Sequence, residues 1–196
     1  MSKRISVIYV PGLGDTKLGG RRPAVSIWHL WGVDAEILQM RWSDDESWES
    51  KLGRLVTRID ELTKEGKMIG LVGASAGASA VINAYALRKS KILGCVLIAG
   101  KVNNPGNIGE NYRSTNPAFM KSAEACEKSL KALNDFDKKR ILSRYSAHDH
   151  IVHRDDSCIS GAHNQKVMSF GHSFTIANQL LLGAPSFLSF LKNLRE

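Results

Sequence analysis

GLVGASAGASA, residues 70–80, gathers the smallest side chains directly behind the apolar run 68–72. Three readings fit such a stretch: a packing face inside a membrane, a loop that cradles phosphate, or a sharp turn that holds one serine. Residues 68–87 carry no charge over nearly the length of a spanning helix. Gly73 and Gly77 even form G-x-x-x-G, which packs helices in lipid. But Gly, Ser and Asn transfer poorly into hydrocarbon, and no other segment is apolar enough to span. The stretch therefore divides. Residues 68–72 read as a buried strand, and 76–90 as a helix with Val81, Ile82, Tyr85 and Ala86 toward a core. A Walker-type phosphate loop fails, because no lysine follows the last glycine.

What remains is Gly73-Ala74-Ser75-Ala76-Gly77 between a strand and a helix, a match to G-x-S-x-G. On a tight strand-to-helix turn a serine hydroxyl stands clear of the backbone. Larger residues two before or two after it would strike neighbouring backbone. The N–H of Ala76 opens the helix, where unpaired donors and the helix dipole favour an oxyanion. Ser79 lies a full turn further on and lacks the first glycine. Tight helix–sheet packing by small residues is the plainer account of the same five positions, so the motif needs partners elsewhere in the chain.

Outward from this turn, strand-length apolar runs alternate with segments of helical period. Strands are expected at 5–10 (ISVIYV), 36–42 (EILQMRW), 68–72, 92–100, 141–147 and 166–170. Ser43 and Glu46 have capping-box spacing, and Trp48, Leu52, Leu55, Val56, Ile59 and Leu62 then recur on one helical face. A second helix begins at Asn116 and Pro117, with Phe119, Ala123, Cys126, Leu130 and Leu133 as its apolar stripe. A last helical region from Ser173 is interrupted by Gly183-Ala184-Pro185. This order predicts a three-layer α/β/α fold: a mostly parallel sheet of about six strands with helices on both faces. Residues 1–196 read as one domain, and 101–115, rich in Gly and Asn, as its most mobile loop.

Composition narrows the class further. An apolar share of 43% and a charged share of 23% exclude a disordered chain or a fibre. The opening MSKRISVIYVPGLGD has six apolar-rich residues before Pro11, too few for a signal peptide, and reads as a first strand. Cys95, Cys126 and Cys158 are odd in number and at no motif spacing, which points to a reducing, cytoplasmic setting. The net charge of +8 arises wholly beyond Gly66, where seventeen Lys/Arg face nine Asp/Glu. Without a dense basic block or interleaved aromatics it reads as a solvated surface and not as a nucleic-acid interface. Stable membrane insertion is likewise not expected.

In a parallel sheet, sites form at the carboxyl ends of the strands. Two further strand ends carry chemistry. Asp149 leaves the run Tyr145-Ser146-Ala147-His148, and His172 follows Ser169-Phe170-Gly171 ahead of a helix. The order Ser75, Asp149, His172 is that of a nucleophile, an acid and a base at successive strand ends.

With these three positions the chain resembles a small member of the α/β-hydrolase superfamily over nearly its whole length. That resemblance implies a loop after the first strand that supplies a second oxyanion donor. Its counterpart is Val10-Pro11-Gly12-Leu13-Gly14-Asp15, with the Leu13 N–H as donor and Gly12 and Gly14 as binding positions. Pro11 stands where histidine is common in that loop. The two leading antiparallel strands of larger members are absent, and the lid region is cut to residues 101–139. The implied chemistry is hydrolysis of a carboxylic ester or thioester, an amide less so. His172 would take the proton of Ser75, Asp149 would orient the imidazole, and the Leu13 and Ala76 amides would hold the oxyanion. The expected partner is a small acyl ester, and no metal or organic cofactor is required. The other class of reading is a catalytically silent fold that binds through its basic surface.

Rival assignments are weaker. GLGDTK with Glu36 partly matches a dinucleotide loop, but the third glycine is missing and the following helix is delayed. His148, His150 and His153 with Asp155 and Asp156 fit no metal-site signature. His163 precedes the last strand, which points it away from the carboxyl ends. Cys95 and Cys158 read as small apolar fillers.

Overall fold

A computed structural model describes residues 4–195. The first three residues, which open the segment read above as too short for a signal peptide, lie outside the described residues, as does residue 196. In chain order the elements are β1 (Ile5–Val10), α1 (Arg21–Ser26) running into a 3-10 turn, β2 (Val33–Ile37), α2 (Trp48–Lys64), β3 (Met68–Ala74), α3 (Ala76–Arg88) and β4 (Ile92–Ile98). Then follow α4 (Glu110–Thr115), α5 (Pro117–Lys131), α6 (Asp135–Lys138), β5 (Ile141–His148), α7 (Arg154–Ser157), β6 (His163–Phe170), α8 (His172–Leu181) and α9 (Ala184–Asn193).

The six strands form one sheet in the order β2-β1-β3-β4-β5-β6, and every pairing is parallel. Alternation along the strands separates two cores. Ile8, Val10, Ile69, Leu71, Cys95 and Leu97 face α2, α3 and α5. Val7, Tyr9, Val72, Val96 and Ile98 face Trp28 and the helices α8 and α9. Trp28 anchors the second core: its ring meets Tyr9 and Phe187 edge-on, and its Nε1–H donates to the Leu180 carbonyl at 3.0 Å. The three-layer α/β/α expectation is met.

The topology also sets where a site can form. From β1 the chain moves outward to β2 on one side, then returns to β3 on the other. At such a reversal the loops leaving two neighbouring strands diverge and open a crevice at their carboxyl ends. Here those loops begin at Pro11 and Ser75.

Several sequence expectations shift. The second strand is Val33–Ile37, paired from Ile5↔Val33 to Tyr9↔Ile37, and not 36–42. Residues 39–42 leave the sheet because Arg41 has φ of 55° and the Arg41 and Trp42 amides donate to the Asp15 carboxylate at 2.7 and 3.3 Å. The helix after it is capped by Ser47, whose Oγ accepts from the Ser50 N–H, and not by Ser43. Glu46 and Asp44 are instead drawn back onto Arg54 and Lys51 of α2. The final strand starts three residues before the expected Lys166, because the edge segment 163–166 is exposed and carries no apolar signal.

Helix α3 is buried on all sides from Ala76 to Tyr85, whereas a single core-facing stripe was expected. The region 101–139 is largely structured: α5 packs into the first core through Phe119, Ala123, Cys126 and Leu130. The break at Gly183 bends α8 and α9 by 64°, and no single helix among the described residues is long and apolar enough to cross a membrane.

Candidate active site

Ser75 sits between β3 and α3 with φ of 52° and ψ of −121°, a conformation that L-residues rarely adopt. Its N–H donates to Ile98 O at 3.0 Å, and its carbonyl accepts from Ala78 and Lys101 at 3.1 Å each. The flanking glycines are explained by contact. A Cβ on Gly73 would lie 2.7 Å from the Ala78 Cα, and one on Gly77 would overlap the Val10 carbonyl oxygen and lie 2.7 Å from that of Pro11. A Cβ on Gly12 would come within 2.7 Å of the Ser75 Cβ. The loop after β1 therefore passes directly against the serine.

That loop is itself held in place. Asp15 is buried and accepts the Arg41 and Trp42 amides, and the Trp42 indole N–H donates to Pro11 O at 3.1 Å. Leu13 lines the cleft beside Ser75. Gly14, by contrast, does not line that cleft; its φ of 72° turns the chain away, and its carbonyl accepts from Arg21 at 3.4 Å. Ala76 is the first residue of α3, so its N–H has no acceptor within the helix.

His172 is delivered by Gly171, whose φ of 77° suits glycine, and whose N–H donates to His148 O at 3.1 Å. Thr175 fixes the same corner, its hydroxyl donating to Gly171 O at 2.7 Å. The imidazole spans the two other residues: Nε2 is 2.9 Å from Ser75 Oγ, and Nδ1 is 2.7 Å from Asp149 Oδ2. Asp149 Oδ1 accepts the Ile151 and Val152 amides at 2.9 and 3.0 Å. Burial alone would raise this carboxyl, but the His172 hydrogen bond and the Val152 and Ile151 amides outweigh it and hold the pKa below the ordinary value. An ionised Asp149 keeps the proton on Nδ1, which leaves Nε2 to accept from the serine hydroxyl.

A cleft of ≈ 150 Å³ opens over Ser75 and His172. Its walls are mainly apolar: Leu13, Ile108, Phe119, Ile151 and Val152, with Tyr112 and Lys101 at the sides. Of residues 101–139, only 101, 107–109, 112 and 119 border it. Lys101 was missed in the sequence. Its ammonium is buried and paired with Asp156 at 2.8 Å, and its N–H donates to Ser75 O. It thus ties the serine turn to the segment that follows Asp149. A lysine in a Gly/Asn-rich loop gives no sign of burial.

The rival residues lie elsewhere or have other partners. His163 opens β6 opposite Leu142, at the amino end of the sheet, with its ring against Phe190. His148 stacks on Phe170, and Glu36 is held by Arg58 through two contacts of 2.8 Å. Cys95 and Cys126 are buried and Cys158 half-buried, and all three are free thiols.

No protein-family model matches the sequence, and no curated protein does either. Solved structures do match. Est1E from Butyrivibrio proteoclasticus superposes with a TM-score of 0.72 at 14% identity, over 98% of this chain and 90% of that one. A monoacylglycerol lipase of Paleococcus ferrophilus gives 0.65 at 14% identity, over 98% and 96%. An α/β-hydrolase superfamily protein from Enterococcus faecalis gives 0.58 at 14% identity, over 98% and 92%. The chain has the α/β-hydrolase fold. Within that fold, the likeness extends over almost the full length of both chains in each comparison.

Proposed function

We propose that the protein is a serine hydrolase that cleaves a carboxylic ester or thioester through Ser75, His172 and Asp149. The observation that carries this reading is the continuous chain of hydrogen bonds from Ser75 Oγ through both ring nitrogens of His172 to a buried carboxylate. Such a relay has a specific use: it lets a neutral alcohol attack a carbonyl while the imidazole takes its proton. The positive charge formed on His172 lies against Asp149, which stays ionised at neutral pH.

The attack produces an oxyanion, and two backbone donors serve it in this reading. Ala76 offers the first N–H of α3, and Leu13 an N–H on the loop that Gly12 brings against the serine. The His172 proton then passes to the departing oxygen or sulfur, and water releases the acyl group through the same histidine. The reaction needs no metal or organic cofactor. Esterase and lipase neighbours of the same fold agree with ester substrates. The cleft of ≈ 150 Å³ and its apolar walls favour short to medium acyl groups.

A series of p-nitrophenyl esters of increasing acyl length tests the reading. Turnover by the wild type should be highest for short to medium chains. It should fall by roughly a thousandfold or more in Ser75→Ala, as for loss of a nucleophile that works as a unit with its base. Equal turnover by both proteins would remove Ser75 from the mechanism. Preference for very long chains would contradict the assignment of this cleft to the acyl group.

A further inference from the structure

A second cleft, of ≈ 420 Å³, adjoins the first and shares with it one residue, His172. Its floor is apolar, formed by Leu18, Ala24, Ile176 and Leu180, and its rim carries Lys17 and Arg21. No carboxylate among the described residues pairs with either cation. Arg4, Arg54 and Arg58, by contrast, are each paired with a carboxylate. Arg21 is also oriented. Its Nη1 donates to Lys17 O at 3.2 Å and Gly14 O at 3.4 Å, which leaves its other N–H groups to serve a ligand.

We propose that this cleft binds the leaving group, and that the leaving group joins an apolar body to an anionic end, a carboxylate or phosphate, held by Lys17 and Arg21. The inference rests on the serine-hydrolase reading above. In that chemistry the Ser75 Oγ–acyl bond forms, the bond from acyl carbon to leaving oxygen breaks, and the proton taken from Ser75 travels on Nε2 to the departing oxygen. The departing group must therefore lie against His172, and the acyl group against Ser75 and Leu13. The cleft that touches His172 but not Ser75 is the one left for the departing group. Its apolar floor accepts a ring or branched chain, and two cations without acidic partners at its rim complement an anion.

Isosteric esters test this. The butyrate esters of 3-[4-(hydroxymethyl)phenyl]propanoate and of the corresponding propanamide differ in charge and hardly in size. The propanoate should show at least tenfold higher kcat/KM than the propanamide, and that ratio should collapse toward one in Lys17→Gln/Arg21→Gln. An aryl phosphate in place of the propanoate shows which anion is preferred. Equal rates in the wild type, or a ratio that survives in the double variant, would overturn the proposal while leaving the hydrolase reading intact. Calorimetric titration of Ser75→Ala with the free hydroxymethyl propanoate reads the cleft without turnover. Binding that disappears when Lys17 and Arg21 are also replaced supports the cleft even if no ester is hydrolysed, and no binding at millimolar concentration counts against it.

Discussion

Ser75 holds a backbone conformation that costs about 1–3 kcal/mol for a residue with a side chain, and the turn keeps it there through three hydrogen bonds of 3.0–3.1 Å. Strain of this kind persists where a side chain must be aimed. Replacing Ser75 by glycine should therefore raise stability by about 1–3 kcal/mol, read as a higher urea midpoint at unchanged m-value, while ester turnover disappears. A variant that is less stable would mean that the serine hydroxyl contributes more through its bond to His172 than the backbone loses. At this scale the sequence was legible. Gly73 and Gly77 announced the close approaches that the Ala78, Val10 and Pro11 backbones impose. Asp149 and His172 stand out in the sequence only by their place after strands, and the fold brings both to Ser75.

Among the elements, the contact between β1 and α3 decides whether the serine faces the loop that carries Leu13. Gly77→Ala places a methyl group against the Val10 carbonyl, in backbone that cannot yield like a flexible side chain. It should cost about 3 kcal/mol in chemical denaturation and reduce turnover even in the molecules that remain folded. A loss below 1 kcal/mol would show that α3 can shift away without penalty. The sequence was poorest where tertiary contacts override local pattern. Residues 39–42 alternate like a strand, but the buried Asp15 takes their amides and turns them out of the sheet. Ser43 and Glu46 fit a capping box, but Glu46 pairs with Arg54 from the helix and Ser47 caps instead. Lys101 looked like a loop cation, and only the fold reveals that Asp156 buries it.

For the molecule as a whole, the parallel order of six strands follows from strands that alternate with helices, and that much needed no coordinates. The two-sided core then stabilises a rim on which charge is finely placed, and pH is the probe that reads it. Asp149 has a lowered pKa in the folded state, so the unfolded chain binds its proton first as the solution is acidified. Its contribution is complete above the unfolded carboxylate value of about 3.9 and is lost as pH falls through the lower folded value. Wild type should thus exceed Asp149→Asn in stability at pH 7 by more than it does at pH 3, measured as urea midpoints. A gap that widens on acidification would reverse the sign and show that the carboxyl is protonated in the fold. Asp60, held at about 2 by Arg88 and Lys91, lies near the surface, where solvent screens much of the corresponding effect.

The triad's existence as a working nucleophile is tested most directly by a fluorophosphonate followed by peptide mass spectrometry. If an activated alcohol lies at the end of β3, the wild type gains one phosphonyl adduct, it maps to Ser75, and His172→Ala suppresses it along with Ser75→Ala. Adduct formation at another residue, or to the same extent after either replacement, would contradict the central claim.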